Sequence, residues 1–178
     1  MDDLTGKIIG GRYRVESFEG HGGMANVYKV WDAQRAVYLA MKILHSDLAE
    51  DRVFLRRFQR EAHVLERLQH PNIVRFYGLE EADGLAYILM DHIDGLTLRR
   101  EIHLNKKGLR PARILQIMQP VCAALHYAHQ MGMVHCDIKP VNIIIHRNGT
   151  VYLADFGIAR EAGARTQTAL VSGTPAYM

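Results

Sequence analysis

The chain has 178 residues, of which 48% are hydrophobic and 23% are charged, and its formal net charge is +3. This length suits about one domain, and the composition is that of a folded globular protein rather than a disordered one. The charge is small, and the basic pairs Arg99-Arg100 and Lys106-Lys107 are interpreted as solvated helix faces, so we expect no nucleic-acid partner.

The two cysteines, Cys122 and Cys136, have no metal-ligand spacing, which favours a reducing compartment. No apolar run approaches the ~20 residues that a membrane helix needs. We therefore expect a cytoplasmic location with no membrane segment within residues 1–178, while an anchor beyond residue 178 stays open.

Apolar patterns in the first half of the chain predict five strands and one long helix. Gly22-Gly23 lies between the first two strands, where a hairpin turn is expected. The helix is amphipathic and ends near Pro71, which disfavours helical geometry at the residue before it. The strands are predicted near residues 13–18, 27–31, 37–44, 73–77 and 85–90, and the helix at 51–69.

The second half is predicted to be mainly helical. Thr97 is a plausible N-cap for a helix, and residues 112–130 have helical apolar spacing that Gly132 ends. Pro120 lies inside this second helix, where a proline costs ~3 kcal/mol or more, so we expect a kink or a break there. Short strands and loops follow.

Two features of the first half are weak signals for phosphate binding when taken alone. The run Gly20-His21-Gly22-Gly23 could bring backbone amides close to phosphates, although an isolated match of this kind favours an ordinary hairpin turn. Lys42 is the one charge in an apolar strand, so it either pairs with a carboxylate, of which Glu61 is the candidate, or extends from a strand edge to solvent.

The most informative segment contains Asp137, Lys139 and Asn142, and Asp155-Phe156-Gly157 follows a short predicted strand. A carboxylate here can accept a hydroxyl proton, and an ammonium group can offset phosphate charge. An amide oxygen and a second carboxylate are hard ligands that suit Mg²⁺. These residues predict one site that binds a polyphosphate.

In this order and context, the glycine run, Lys42, Glu61, the Asp137–Asn142 loop and Asp155-Phe156-Gly157 resemble the signature set of protein kinases. The resemblance runs from Tyr13 to Met178 and is strongest to the eukaryotic-like serine/threonine kinases of bacteria. It implies an α+β, two-lobed kinase fold. The N-lobe, residues 1–93, would be a five-stranded antiparallel sheet with one helix, and the C-lobe, residues 94–178, would be mainly helical and incomplete.

The resemblance also implies a role for each matching position, with ATP and Mg²⁺ as the bound groups. Asp137 would be the catalytic base, Lys139 would steady the γ-phosphate, and Asn142 and Asp155 would hold Mg²⁺. The nucleotide site would comprise Gly20, Gly22 and Ala25 over the phosphates, Lys42 paired with Glu61, Met90 as gatekeeper, the backbone of Asp91 and Ile93 at the adenine edge, and Val27, Ala40 and Ile144 against its faces. A hydrophobic column would comprise Leu65, Phe76, His135 and Phe156.

Lys139 and Gly173-Thr174-Pro175 follow the serine/threonine pattern, so the resemblance implies protein substrates, and self-association for autophosphorylation stays open. Two alternatives are a pseudokinase that acts as a scaffold and a small-molecule kinase. The retained Lys42 and Asp137 argue against the first, and the glycine run argues against the second. We further expect the 178 residues alone to be poorly stable and inactive, as part of a longer chain.

Cys136 stands where most regulated kinases carry an arginine that binds a phosphate on the activation loop. A cysteine cannot form bidentate contacts to phosphate. A small residue that fills this space is favoured over a redox role. Thr166 and Thr168 remain open as autophosphorylation sites or as an unmodified loop.

We therefore predict that replacing Thr166 and Thr168 by alanine in the full kinase domain leaves most of the activity in place. The measurement is phosphate incorporation into substrate by the double variant and by wild type. Loss of nearly all activity in the double variant would contradict the prediction.

Overall fold

The computed structural model describes residues 3–22, 25–52, 55–56 and 65–156. The chain forms two compact units. The first, called here the sheet unit, contains residues 1–66 and 75–92, and the second, the helical unit, contains residues 67–74 and 93–178. The predicted lobe boundary after residue 93 stays a prediction.

The sheet unit is built on one antiparallel sheet with the strand order β1-β2-β3-β4-β6-β5. All five predicted strands are present, and a two-residue strand is added at one edge. The predicted helix at 51–69 lies mostly outside the described residues. The elements are β1 (Ile8–Ile9), β2 (Tyr13–His21), β3 (Ala25–Asp32), β4 (Val37–Leu44), α1 (Ser46–Glu50), β5 (Phe76–Ala82) and β6 (Leu85–Asp91).

The fourth predicted strand differs from the structure in its start. The apolar pattern placed it at 73–77, but β5 begins at Phe76. Ile73 instead forms a single bridge with Leu153, and the Val74 N–H donates to the Leu153 carbonyl at 2.9 Å. These residues join the helical unit because their backbone groups find partners there. The turn from β5 to β6 is Asp83-Gly84, and both residues have positive φ, as a tight hairpin requires.

The sheet separates an apolar face from a mixed face. Side chains alternate along each strand, so neighbouring residues project to opposite faces. Met41 and Leu89 pair across β4 and β6 on the apolar face, while Lys42 pairs with Val27 and Ile88 on the other. The apolar face forms the core of this unit, which includes Tyr13, Val15, Val30, Leu39, Met41, Ile43, Tyr87 and Leu89.

An ion pair anchors the ends of β2 and β3. The Arg12 guanidinium donates to both carboxylate oxygens of Asp32, at 2.8 and 2.6 Å. Asp32 is inaccessible to solvent and also accepts from the backbone N–H groups of Gln34 and Arg35, which shapes the following turn. The hydrogen bond from Arg12 is the main reason that the pKa of Asp32 lies below its usual range.

Among its described residues, the helical unit contains two α-helices and a small sheet. The helices are α2 (Leu98–Leu104) and α3 (Pro111–Gln130), and the sheet pairs β7 (Gly95–Thr97), β8 (Ile143–His146) and β9 (Val151–Leu153) in that order. Thr97 is confirmed as an N-cap, because its hydroxyl accepts from the Arg100 N–H at 3.2 Å. Among the described residues, no helix is long and apolar enough to cross a membrane.

Helix α3 continues through Pro120, so of the two outcomes expected there, a kink or a break, the break is excluded and the kink stays a prediction. Its buried residues Ile117, Val121, Ala124 and Ala128 recur at helical spacing and form one continuous face, which packs against β9. Burial of this face offsets the cost of the interior proline. Gly95 is constrained for a different reason, since a Cβ added there would clash with the backbone carbonyl of Ile145 in β8.

We predict that Asp32→Ala lowers the free energy of unfolding by about 3 kcal/mol, because it leaves the Arg12 charge without its buried partner. Chemical denaturation at neutral pH measures the change. The matched control is Glu16→Ala, which removes the exposed ion pair with Arg14 and should cost under about 1 kcal/mol.

The contribution of Asp32 to the free energy of unfolding should depend on pH in a defined direction. Because its folded pKa is lowered, the stabilisation is present above the unfolded carboxyl pKa of about 3.9 and is lost as pH falls through the folded value. Equal losses for the two variants at neutral pH would show that burial of the Arg12–Asp32 pair has no special role.

Candidate active site

The β8–β9 hairpin of the helical unit brings two distant segments together. A 3₁₀ turn over Pro140–Asn142 leads directly into β8, and the Asn142 N–H donates to the Lys139 carbonyl at 2.9 Å. At the end of β9, the Ala154 N–H donates to the Asn142 carbonyl at 2.8 Å. Asn142 therefore lies beside the backbone that leads into Asp155.

Within the loop before β8, three polar side chains form one connected group. The Lys139 ammonium lies 2.7 Å from the Asp137 carboxylate oxygen Oδ2. The Asn142 amide Nδ2 donates to the same oxygen at 3.1 Å and to the Asp137 backbone carbonyl at 2.9 Å. Asn142 is buried, so its two bonds hold the half-exposed Asp137 carboxylate in one orientation.

His135 connects this loop to the segment after β9. Its ring is buried, with Nε2 at 3.0 Å from the Ala154 carbonyl, and its Nδ1 lies 3.3 Å from the Asp137 N–H. These contacts assign the neutral tautomer in which Nε2–H donates to Ala154 and Nδ1 accepts from Asp137. Burial lowers the pKa of His135 below its usual value, which keeps the ring neutral at physiological pH.

Two residues next to these contacts have backbones that favour glycine. Cys136 has φ of 58° and Asp155 has φ of 53°, in the left-handed region that costs a non-glycine residue free energy. Cys136 follows His135 in the chain and Asp155 follows Ala154, and these two preceding residues are hydrogen-bonded to each other. Phe156 is buried with its ring centroid 4.5 Å from that of His135, so packing on both sides holds these backbones in place.

Four of the predicted nucleotide residues of the sheet unit lie on one face. Lys42 pairs with Val27, and Ala40 pairs with Met90, so all four project away from the apolar core. At the end of the β2–β3 hairpin, the Gly22 N–H donates to the Ala25 carbonyl at 2.8 Å.

One further contact of this hairpin was not predicted. The His21 ring Nδ1 lies 2.9 Å from the Asn26 side-chain oxygen, and the two residues pair directly across β2 and β3. Sequence spacing alone did not reveal this pair because the register of the hairpin depends on bulges within β2.

The remaining predicted residues divide into those that the structure describes and those that it does not. The Asp91 N–H donates to the Arg75 carbonyl at 2.9 Å, and Ile144 is partly buried in the centre of β8. Leu65 and Phe76 are buried, as are His135 and Phe156. Glu61, Gly157, Thr166, Thr168 and Gly173-Thr174-Pro175 lie outside the described residues. The functional role of every site residue stays a prediction.

The oxygen atoms of the helical unit suit a hard cation only when a bound molecule supplies further ligands to it. With Nδ2 of Asn142 bonded to Asp137, its oxygen Oδ1 is the atom of this amide that can ligate a cation. Asp155 adds a carboxylate, and among the described residues no group of three or more His, Cys, Asp or Glu could hold a metal on its own. An amide and a carboxylate fit Mg²⁺ that takes its other ligands from phosphates and water.

The chain is similar to known proteins over most of its length. Residues 13–178 match the family model described as "Protein kinase domain". The chain is 45% identical to the serine/threonine-protein kinase PrkC of Bacillus subtilis over 165 residues, which cover 93% of this chain and 25% of the relative. It is 40% identical to PknB of Mycolicibacterium smegmatis, with 98% of this chain and 29% of the relative covered.

The fold is also similar to solved structures. The kinase domain of PknI from Mycobacterium tuberculosis superimposes with a TM-score of 0.77 at 36% identity, covering 89% of this chain and 62% of that one. The predicted kinase fold, with an incomplete helical part, is confirmed by this match. The chain spans about a quarter of the length of the curated relatives that it matches.

We predict that His135→Phe lowers the free energy of unfolding at pH 7.5 by about 2 kcal/mol, because the Ala154 carbonyl and the Asp137 N–H lose a buried partner. Since the folded pKa of His135 is lowered, the unfolded state binds more protons below about pH 6.5. Wild-type stability should therefore fall as pH decreases from 7.5 to 5.5.

The variant should lose part of this pH dependence. Urea titrations of the full-length protein at pH 7.5 and 5.5 measure the free energy of unfolding at each pH. The control is His129→Gln at an exposed position, which should show the same pH dependence as wild type. An unchanged pH dependence in His135→Phe would contradict the assignment of a buried neutral ring.

Proposed function

Because this chain belongs to the protein kinase domain family, we propose that it transfers the γ-phosphoryl group of ATP to serine or threonine hydroxyls of protein substrates. The observation that carries the proposal is the connected group of Asp137, Lys139 and Asn142 beside the segment that leads to Asp155. The relatives named serine/threonine-protein kinases support the hydroxyl class, as does Lys139 two residues after Asp137.

In the proposed reaction, the Asp137 carboxylate orients the substrate hydroxyl and accepts its proton as the new oxygen–phosphorus bond forms. The bond between the γ-phosphorus and the β–γ bridging oxygen breaks in the same transfer, and ADP is the leaving group. Rotation of Asp137 is limited by the hydrogen bonds from the Asn142 amide and by the bond from the Asp137 N–H to His135. The carboxylate is therefore in position before substrate arrives. This is catalysis mainly by orientation of the reactants, which supplies a large share of the reduction in the activation barrier of such transfers.

Lys139 has an electrostatic role in the proposal. Its ammonium lies 2.7 Å from Asp137, which keeps a positive charge next to the reacting oxygen. Negative charge on the transferred phosphoryl group is stabilised by a donor that is already in place. Asn142 and Asp155 would hold Mg²⁺, which when bound offsets the charge of the phosphates.

The nucleotide is proposed to bind against the mixed face of the sheet unit, where Val27, Ala40 and Met90 offer apolar contacts to adenine and Lys42 offers a charge to the α- and β-phosphates. The glycine hairpin, which includes Gly20, Gly22 and Ala25, supports this because a backbone without large side chains can approach phosphates closely. The proposed nucleotide residues of the sheet unit also include the backbone of Asp91 and a pair between Lys42 and Glu61. The roles of Ile93 and Ile144 stay predictions.

Finer features of the function belong to the same proposal. Membership of the family supports three further proposals, namely autophosphorylation through self-association, a role in signalling and a cytoplasmic location of this domain. A scaffold without catalysis is the alternative, and the intact Asp137 group argues against it.

We predict that Asp137→Asn in the full-length protein lowers phosphate incorporation about a thousandfold, the scale of general base catalysis. ATP affinity should change little, because Asp137 contacts the hydroxyl rather than the nucleotide. Radiolabelled γ-phosphate transfer and calorimetric titration with Mg-ATP measure the two quantities. The control is Asp94→Asn, which removes an exposed carboxylate paired with Arg147.

The outcomes separate the enzyme from the scaffold. Activity that falls in Asp137→Asn and persists in the control supports the kinase. A wild-type protein that incorporates no phosphate while it binds partners would favour the scaffold, and an Asp137→Asn variant as active as wild type would overturn the assignment of the base.

A further inference from the structure

A contact between Glu19 and His92 reaches across the sheet unit. The Glu19 carboxylate oxygen Oε1 lies 4.0 Å from Nε2 of His92. Glu19 belongs to β2 and His92 directly follows β6, and β3 and β4 lie between these two strands. In a flat sheet such strands are about 14 Å apart, three spacings of about 4.8 Å. The sheet therefore curls, and the two side chains meet over one of its faces.

That face is the mixed face of the sheet unit. Asp91 pairs with the core residue Leu39, so alternation places its two neighbours, Met90 and His92, on the face away from the core. The carboxylate of Glu19, which reaches His92, lies on this face as well. It therefore shares the face with the proposed adenine contacts.

A β-bulge explains how Glu19 comes to project there. Phe18 pairs with Tyr28 and Gly20 pairs with Val27, so Glu19 is the extra residue of β2 at this point. The extra residue of a bulge has no direct partner in the ladder, and its side chain is aimed away from the regular alternation. The bulge thus places a carboxylate immediately before the glycine hairpin.

The Glu19 carboxylate is oriented through one of its two oxygens. The Ser17 hydroxyl donates to Oε1 at 2.9 Å, and His92 faces the same oxygen. Within the described part of the chain, the other oxygen, Oε2, has no hydrogen-bond or ion-pair partner. A carboxylate with one oxygen held and the other open is an acceptor that is oriented before a ligand binds.

The position of Glu19 corresponds to the middle of the proposed nucleotide. Adenine is proposed to lie against Met90, and the phosphates at Gly20 and Lys42. Glu19 directly precedes Gly20 in the chain and reaches, at His92, the residue that follows the strand of Met90. Because the ribose joins adenine to the phosphates, it is the part of the nucleotide that passes Glu19.

We propose that Glu19 is a specificity-determining residue that accepts hydrogen bonds from the ribose hydroxyls of the bound nucleotide. This inference rests on the proposed nucleotide site. The 2′- and 3′-hydroxyls are two adjacent neutral donors, and an ionised carboxylate only accepts. Hydrogen bonds to a charged acceptor are stronger than those between neutral groups. The phosphates do not suit this carboxylate, because both carry negative charge.

The consequence is selection of ribonucleotides over nucleotides without these hydroxyls. A buried site built to bond a hydroxyl rejects the analogue that lacks it by roughly ten-thousandfold, because its polar group is left without a partner. The Glu19 side chain is 43% exposed, so water replaces part of the lost bonding. The expected discrimination is therefore about tenfold, the effect of one hydrogen bond to a charged group.

The test compares two ligands of the full-length protein by calorimetric titration, Mg-ATP and Mg-2′,3′-dideoxy-ATP. Wild type should bind ATP about tenfold more tightly than the dideoxy analogue, and Glu19→Leu should reduce this ratio to about twofold. Glu19→Gln keeps a neutral acceptor and should give about threefold. A variant that only loosens the hairpin weakens both ligands equally, so the ratio reports the ribose contact itself.

The matched control is Glu16→Gln on the same strand, where the carboxylate accepts from Arg14 at 2.7 Å, and it should keep the wild-type ratio. Equal ratios in wild type and Glu19→Leu would overturn the proposal, as would equal binding of the two ligands by wild type. Tighter ATP binding by Glu19→Leu at an unchanged ratio would also overturn it, since Glu19 would then only repel the phosphates.

A transfer assay separates this inference from the proposed function. If the ratio falls in Glu19→Leu but wild type transfers no phosphate to protein, the kinase assignment fails and the role of Glu19 stands. If wild type transfers phosphate and the ratio is the same in Glu19→Leu, the role of Glu19 fails alone. If wild type binds neither ligand, the proposed nucleotide site and the role of Glu19 both fail.

Discussion

The buried imidazole of His135 is the contact on which the arrangement of the helical unit depends. It donates to the Ala154 carbonyl and accepts from the Asp137 N–H, so one neutral ring joins the loop that carries Asp137 to the strand end that carries Asp155. Burial keeps the ring in the single tautomer that satisfies both partners. The left-handed backbones of Cys136 and Asp155 lie directly beside these contacts, which shows where the fold holds strain in order to position polar groups.

A different constraint positions the proposed nucleotide residues in the sheet unit. Strand alternation allows β3 and β4 to place Tyr28, Leu39 and Met41 in the core while Val27 and Lys42 project to the opposite face. The apolar face stabilises the sheet, so the opposite face can carry a charged lysine. The core residues and the proposed nucleotide residues therefore lie on opposite faces of the same strands rather than on different elements.

Sequence patterns predicted much of this fold, and the errors have physical causes. Strand β4 was predicted at its observed bounds, and the Thr97 cap was confirmed, because both depend on local preferences. The start of β5 was wrong, since Ile73 finds its backbone partner in Leu153, far along the chain. Of the kink or break expected at Pro120, the break is excluded, because packing of one helix face outweighs a local proline penalty.

The sequence alone determined the family and the order of the predicted site residues, because residue type and spacing suffice to state them. Only the tertiary structure decided that Asn142 holds Asp137 and that His135 links two distant segments. Those features depend on hydrogen-bond geometry and on packing between residues far apart in sequence. Such contacts form only when the chain folds, so no local pattern contains them.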